Sequence, residues 1–190
     1  MSKYFVQKYT SPICLCQWPK LQDPDSKYKK YQVDLIMNKE QMNDLNKKAN
    51  HVIDEQIKKL NPNKKYNRRE LNWKPCEDEA GMYTIKFALP EFDYKNVPQR
   101  PKLLDSKGND LHSKFKADGI TIGGGSKIQV GADLVGYEGA GAVGASLKLR
   151  QVRVFDLKEY NGAGNFDWST DDGFTMESSE SYDSSDASMY

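Results

Sequence analysis

Lys127-Ile128-Gln129-Val130-Gly131-Ala132-Asp133-Leu134-Val135-Gly136-Tyr137 and Ala145-Ser146-Leu147-Lys148-Leu149-Arg150-Gln151-Val152-Arg153-Val154-Phe155 are the two stretches that decide the fold. Each is rich in β-branched and aromatic residues and alternates apolar with polar positions, the pattern of a strand with one buried face. Glu138-Gly139-Ala140-Gly141-Ala142-Val143-Gly144 joins them as a hairpin with a longer, Gly-rich loop. Upstream, Tyr31, Val33 and Leu35 alternate with Gln32, Asp34 and Ile36, and Tyr83, Ile85, Phe87 and Leu89 alternate with Met82, Thr84, Lys86 and Ala88. Ile13 to Trp18 is a further short apolar run closed by Pro19. Leu103-Leu104 ends at the turn signal Asp105-Ser106-Lys107-Gly108-Asn109.

One helix interrupts the strands. Asn38 with Gln41 three residues later forms a capping-box pair. Met42, Leu45, Ala49, Val52, Ile53, Ile57 and Leu60 then recur at helical spacing until Asn61-Pro62 stops the helix. Five or six strands with one helix inserted between early strands predict a mainly β protein. The expected form is a small closed or partly closed barrel of the oligonucleotide-binding (OB) class.

Composition divides the chain in two. It has 190 residues, 28 of them Lys or Arg and 27 Asp or Glu, for a net charge of +1. All 28 basic residues lie at or before Lys158, against 20 acids in residues 1–165, so that part carries +8. Residues 166–190 hold seven acids and no base. Residues 1–160 are therefore expected to form a basic domain, and 161–190 a disordered acidic tail punctuated by Phe166, Trp168, Phe174, Tyr182 and Tyr190. No apolar run approaches the ~20 residues of a membrane helix, and the N-terminus does not read as a signal peptide. Three cysteines, two of them in Cys14-Leu15-Cys16, make no disulfide framework and fit a reducing, cytosolic compartment.

Catalytic and cofactor chemistry find little support. Neither His51 nor His112 belongs to a recognisable triad. Cys14, Cys16, Cys76 and His112 match no familiar zinc spacing and read as a core set with a loop histidine. Gly123-Gly124-Gly125-Ser126-Lys127 has the wrong order for a phosphate-binding loop and leads into a strand; it reads as a tight turn. The chain reads as a non-enzyme without a metal or cofactor.

What stands out is basic residues interleaved with aromatics. Lys27-Tyr28-Lys29-Lys30-Tyr31 opens one strand. Lys64-Lys65-Tyr66-Asn67-Arg68-Arg69 runs on to Trp73-Lys74-Pro75 in a loop after the helix. Lys86 lies between Ile85 and Phe87, and Lys148, Arg150 and Arg153 lie along the last strand. A groove for single strands needs cations to follow phosphates and rings to stack bases. Trp18 and Trp73 are further ring candidates. The acidic tail, with Trp168, Asp171, Asp172, Asp183, Asp186 and Tyr190, suits competition for such a surface and docking of partners. The rival class is an RNA-binding or protein-interaction module whose tail only solubilises it.

The sequence also resembles the single-stranded DNA-binding proteins of T-seven-type bacteriophages and related phages. The resemblance runs through Asp105-Ser106-Lys107-Gly108, Ile122-Gly123-Gly124-Gly125-Ser126-Lys127, Tyr137, Ala142-Val143-Gly144-Ala145-Ser146 and Asp167-Trp168. Further matches are Tyr31-Gln32-Val33-Asp34-Leu35 and Thr84-Ile85-Lys86-Phe87. It implies an OB-fold and sequence-independent binding of single-stranded DNA in replication, recombination and repair, in the cytoplasm of an infected bacterium. It implies a tail that occupies the groove when DNA is absent, recruits proteins such as DNA polymerase and helicase-primase, and supports a homodimer. Carried over by position, it assigns DNA contacts to Lys3, Lys86 and Tyr137, and the terminal aromatic to Tyr190; the basic position before the second strand falls nearest Tyr28, between Lys27 and Lys29-Lys30.

Overall fold

The alternating segments pair as their inner faces require. In the computed structural model, which describes residues 3–160, the strands are β1 (Val6–Thr10), β2 (Cys14–Asp25), β3 (Lys30–Asn38), β4 (Asn67–Arg69), β5 (Trp73–Pro75), β6 (Met82–Pro90), β7 (Lys102–Leu104), β8 (Lys127–Gly139) and β9 (Ala142–Asp156). The helices are α1 (Lys39–Leu60) and α2 (His112–Asp118). β2, β3, β6, β9 and β8 close a ring. Its pairs are antiparallel except β6–β9, which is parallel and meets only at Ala88↔Lys148. Five strands closed this way make an OB barrel. Val33, Leu35, Phe87, Ile128, Val130, Leu134, Leu149 and Val152 fill its interior.

α1 packs against this core. Its capping box is formed: the Gln41 N–H donates to Asn38 Oδ1 at 2.9 Å and the Asn38 N–H to Gln41 Oε1 at 3.0 Å. Met42, Leu45, Ala49, Val52 and Ile53 are buried in the same apolar cluster as the barrel interior. Burying Met42, Leu45, Val52 and Ile53 contributes about 1.5–3 kcal/mol each, which the exposed lysine face of the helix does not.

Four differences from the sequence expectations have physical causes. The β8–β9 loop is only Ala140-Gly141, with φ of +51° and +73°, so the strands run on to the Gly139↔Ala142 pair; two positive φ values give the tight turn that matches strand twist. The stretch after the helix is not a loop. β6 and β9 diverge from their single meeting point, and residues 67–75 fill the wedge, β4 pairing with β9 and β5 with β6. β1 and α2 were not anticipated, and α2 places His112 at a helix start rather than in a loop. β2 passes through Pro19 because its pairing with β3 breaks register between Gln17 and Lys20.

The triple-glycine turn clasps β2 and the segment that follows β9, as a tight turn can. The Gly123 N–H donates to Lys158 O at 2.7 Å and the Gly125 N–H to Cys16 O at 2.8 Å. A side chain at Gly123 would come within 2.9 Å of the Lys158 carbonyl. Cys14, Cys16 and Cys76 are buried free thiols, and burial pushes Cys14 and Cys16 up to about 11.

Candidate nucleic-acid interface

In an OB barrel, ligands lie on the outer face of the second and third strands, flanked by the first-second and fourth-fifth loops. Those strands are β3 and β6 here. Their outward positions follow from register: Gln32↔Ala88, Asp34↔Lys86 and Ile36↔Thr84, with Lys74 of β5 opposite Thr84. Asp34, Lys74, Thr84, Lys86 and Ala88 line a shallow depression of about 360 Å³. The face continues sideways, because Gln32↔Ala88, Ala88↔Lys148, Lys148↔Asp133 and Asp133↔Lys8 form one row across five strands.

The cations on this surface differ in what they already hold. Lys86 Nζ lies 3.4 Å from Asp34 Oδ1, and that oxygen receives no hydrogen bond. Arg150 Nε and Lys8 Nζ each reach one oxygen of Asp133 at 2.6 Å, and the Asp133 side chain is only 4% exposed. Burial works to raise the Asp133 pKa, but the hydrogen bonds from Lys8 and Arg150 outweigh it and hold the carboxyl below its ordinary value. Lys148 is pushed down by burial and then by the neighbouring Arg150, against the pull of Asp133 and Asp93. A partly desolvated ammonium pressed by another cation gains from an arriving phosphate.

Arg68 pairs with Asp54 of α1 at 2.5 Å and also reaches Asn50. Arg69, next to it on β4, has no ion pair among the described residues and aligns with Gly144, which pairs with Tyr137. A Cβ at Gly144 would lie 2.6 Å from Tyr137 Oη, so the ring needs glycine beneath it. Lys30 opens β3 opposite Pro90 and lies 5.2 Å from the Tyr28 ring centroid. Lys3 is exposed, its carbonyl accepting from Gln56 Nε2 at 3.3 Å, near the start of β1.

The two tryptophans are placed differently. Trp73 aligns with Ile85, not Lys86, and packs edge-on against Tyr83 at 5.0 Å, so it is not part of the β3–β6 outer face. Trp18 is 76% exposed, at φ +49° in the register break of β2. It overlooks a cleft of about 690 Å³ with Ile36, Gly124 and Tyr160, rimmed by Asp78 and Glu79. Lys30, Lys86, Lys148 and Tyr137 thus lie along one outer wall; Arg68 and Arg150 are engaged in ion pairs. Trp168, Asp171, Asp172, Asp183, Asp186 and Tyr190, and the expected disorder of 161–190, lie outside the described residues. Among the described residues no group of His, Cys, Asp or Glu is arranged to hold a metal ion.

No family model matches the chain. A single-stranded DNA-binding protein of Enterobacteria phage T3 is 38% identical over 109 residues, covering 52% of this chain and 45% of that protein. The likeness is to phage single-stranded DNA-binding proteins. It spans about half the length of that relative. The same class recurs among solved structures. The crystal structure of gp2.5, a single-stranded DNA-binding protein encoded by bacteriophage T7, matches with a TM-score of 0.58 and 21% identity, over 91% of this chain and all of that one. The single-stranded DNA-binding protein of bacteriophage Enc34 matches at 0.56 and 18%, over 84% and 87% of the two chains. Its complex with single-stranded DNA matches at 0.50 and 18%, over 82% and 89%. At these identities the structural match is one of fold, and it agrees with the OB barrel derived above.

The sequence reading names Arg69 only within its basic run, without the pairing that sets it beside Gly144, and it passes over the exposed Tyr94. The signal for the second was present: a tyrosine between turn-forming Asp93 and Asn96 has no inner face to fill.

Proposed function

We propose that this protein binds single-stranded DNA without sequence preference and without catalysis, as a phage replication protein. The observation that carries this is the outward wall of an OB barrel bearing Lys30, Lys86 and Lys148 with the Tyr137 ring and Arg69 at its end. The cations track phosphates; the rings stack bases at about 1–3 kcal/mol each, whatever the base. Lys86 exchanges its loose Asp34 contact for a phosphate, and Lys148 loses its electrostatic penalty.

The tail gives the second half of the reading. Its seven acids compete for the same wall at the high effective concentration of a tethered segment. DNA displaces it and frees Trp168, the acids and Tyr190 for proteins such as a polymerase or helicase-primase. Recruitment and DNA binding are then coupled by one exchange. The homodimer, the roles in recombination and repair, and the cytoplasm of an infected bacterium as site of action belong to this reading too.

Binding of fluorescent oligo-dT across a salt series, for the whole chain and for one ending at Asn165, tests both halves. The whole chain binds with an affinity that falls steeply with salt, and truncation tightens binding most at low salt. Equal binding by both forms removes the competing tail. No binding by either removes the function, and a marked preference for RNA of the same sequence replaces it with the RNA-binding alternative.

A further inference from the structure

Two turns emerge side by side at the end of the β3–β6 ribbon where Lys30 pairs with Pro90. In the first, Asp25 Oδ1 accepts from the Lys27 and Tyr28 N–H groups at 3.0 and 2.8 Å, and the Lys29 N–H donates to Asp25 O at 2.8 Å. The second is a small hairpin over residues 91–99. Phe92 bridges Pro98, the Asp93 N–H donates to Val97 O at 2.9 Å, and Asp93 Oδ1 accepts from the Lys95 and Val97 N–H groups at 2.8 Å. The Glu91 N–H donates to Lys29 O at 2.9 Å and ties the two turns together.

Each turn holds a tyrosine out to solvent with lysine beside it. Tyr28 is 59% exposed, with Lys27 and Lys30 Nζ each 5.2 Å from its centroid. Tyr94 is 91% exposed, with Lys95 Nζ at 5.5 Å. Neither ring serves the core. Of the acids at this end, Asp25 and Asp93 are engaged by backbone N–H groups, while Glu91 and Asp23 act electrostatically on Tyr31. The hairpin also stands beside the wall, because it continues directly from β6, whose Ala88 pairs with Lys148, and Asp93 acts electrostatically on that lysine. Turns fixed by side-chain caps present their rings with little conformational freedom left to lose on binding.

We propose that Tyr94 and Tyr28 are two base-stacking stations that carry a single strand off the end of the barrel wall, with Lys95, Lys27 and Lys30 meeting the adjacent phosphates. This rests on the single-strand reading above and extends its path. A ring has two faces, so the one lysine over Tyr94 leaves the other face for a base, and at Tyr28 a lysine that turns to a phosphate uncovers the face a base takes.

The test compares oligo-dT with an abasic strand of equal length, using the full chain and its Tyr94→Ala, Tyr28→Ala and Tyr94→Trp forms. Tyr94→Ala weakens oligo-dT binding about fivefold or more, leaves the salt slope unchanged and leaves abasic binding unchanged; Tyr28→Ala does the same, and Tyr94→Trp keeps full affinity. Wild-type affinity in both alanine variants overturns the proposal, as does an equal loss on dT and abasic strands. If the unaltered chain does not bind oligo-dT at all, the single-strand reading itself fails, which these variants distinguish from failure of the stations alone.

Discussion

Asp133 and Asp34 both sit on the outward side of the barrel, both face a cation, and they do opposite work. Asp133 is almost fully covered, and Lys8 and Arg150 each contact one of its oxygens. Asp34 faces Lys86 alone, at 3.4 Å and without a hydrogen bond to the facing oxygen. The first pins β1 and β9 to β8; the second lines the depression of the β3–β6 face and ties no strands together beyond their backbone pairing. A basic surface is thus not uniform: cations committed to a covered, hydrogen-bonded carboxylate differ from a cation that faces its carboxylate loosely.

The largest expected effect breaks the first pair. Asp133→Ala removes two charge-assisted hydrogen bonds from a covered site and lowers unfolding free energy by about 2 kcal/mol in urea denaturation. The pH dependence has a definite sign. The native Asp133 pKa is held below the unfolded value of about 3.9, so its contribution is present above that value and lost as pH falls through the native one. The stability gap between wild type and Asp133→Asn therefore stays constant from neutral pH to about pH 5 and narrows below pH 4. A gap that widens on acidification contradicts the assignment.

Next comes the contrast between Lys86 and Arg150 in binding. Lys86→Ala removes one phosphate contact from the wall. With a single-strand salt slope of about 0.7 per contact, affinity for oligo-dT drops about fivefold at 0.1 M salt and the slope falls by about 0.7. Arg150→Ala, compared where both variants are folded, costs stability and leaves the slope within error of wild type. Equal slopes for the two variants would erase the distinction between structural and ligand-facing cations.

That distinction was only partly legible in the sequence. The barrel was: alternation in β3, β6, β8 and β9, with the Asn38–Gln41 box opening α1, fixes which residues face inward. Short pieces held by tertiary pairing were not. β4 and β5 have three residues each and owe their form to the wedge between β6 and β9. α2 has seven residues, no side-chain cap at Leu111, and a left-handed Gly119 as its main stop. Trp73 is a ring candidate in the sequence because its basic neighbours are adjacent to it; its alignment with Ile85 comes from a pairing between β5 and β6 that composition does not encode. The same alternation puts Lys86 and Lys148 on strands. That Arg150 is committed to Asp133, 17 residues away, depends on the β8–β9 register and its irregularity near Gly131, which composition does not encode.

The smallest effect is the most specific. Asp34→Asn keeps the shape of the site and removes the charge that Lys86 faces. Half-exposed pairs of this kind contribute less than about 1 kcal/mol, so affinity for oligo-dT should rise only two- to threefold, and only at low salt. Direction matters more than size here, because a carboxylate that helped to position Lys86 for phosphate would give weaker binding on removal. The Lys86→Ala background separates a local exchange from a general field effect. If Asp34 acts by holding Lys86, the gain disappears in the double variant, and the cycle shows a coupling close to the whole single-variant effect. If the gain persists there, Asp34 repels the strand directly, and the ion pair is no gate. Measured beside the Asp133 pair, whose removal costs stability, that sign decides whether the β3–β6 depression is built to be vacated by its own carboxylate.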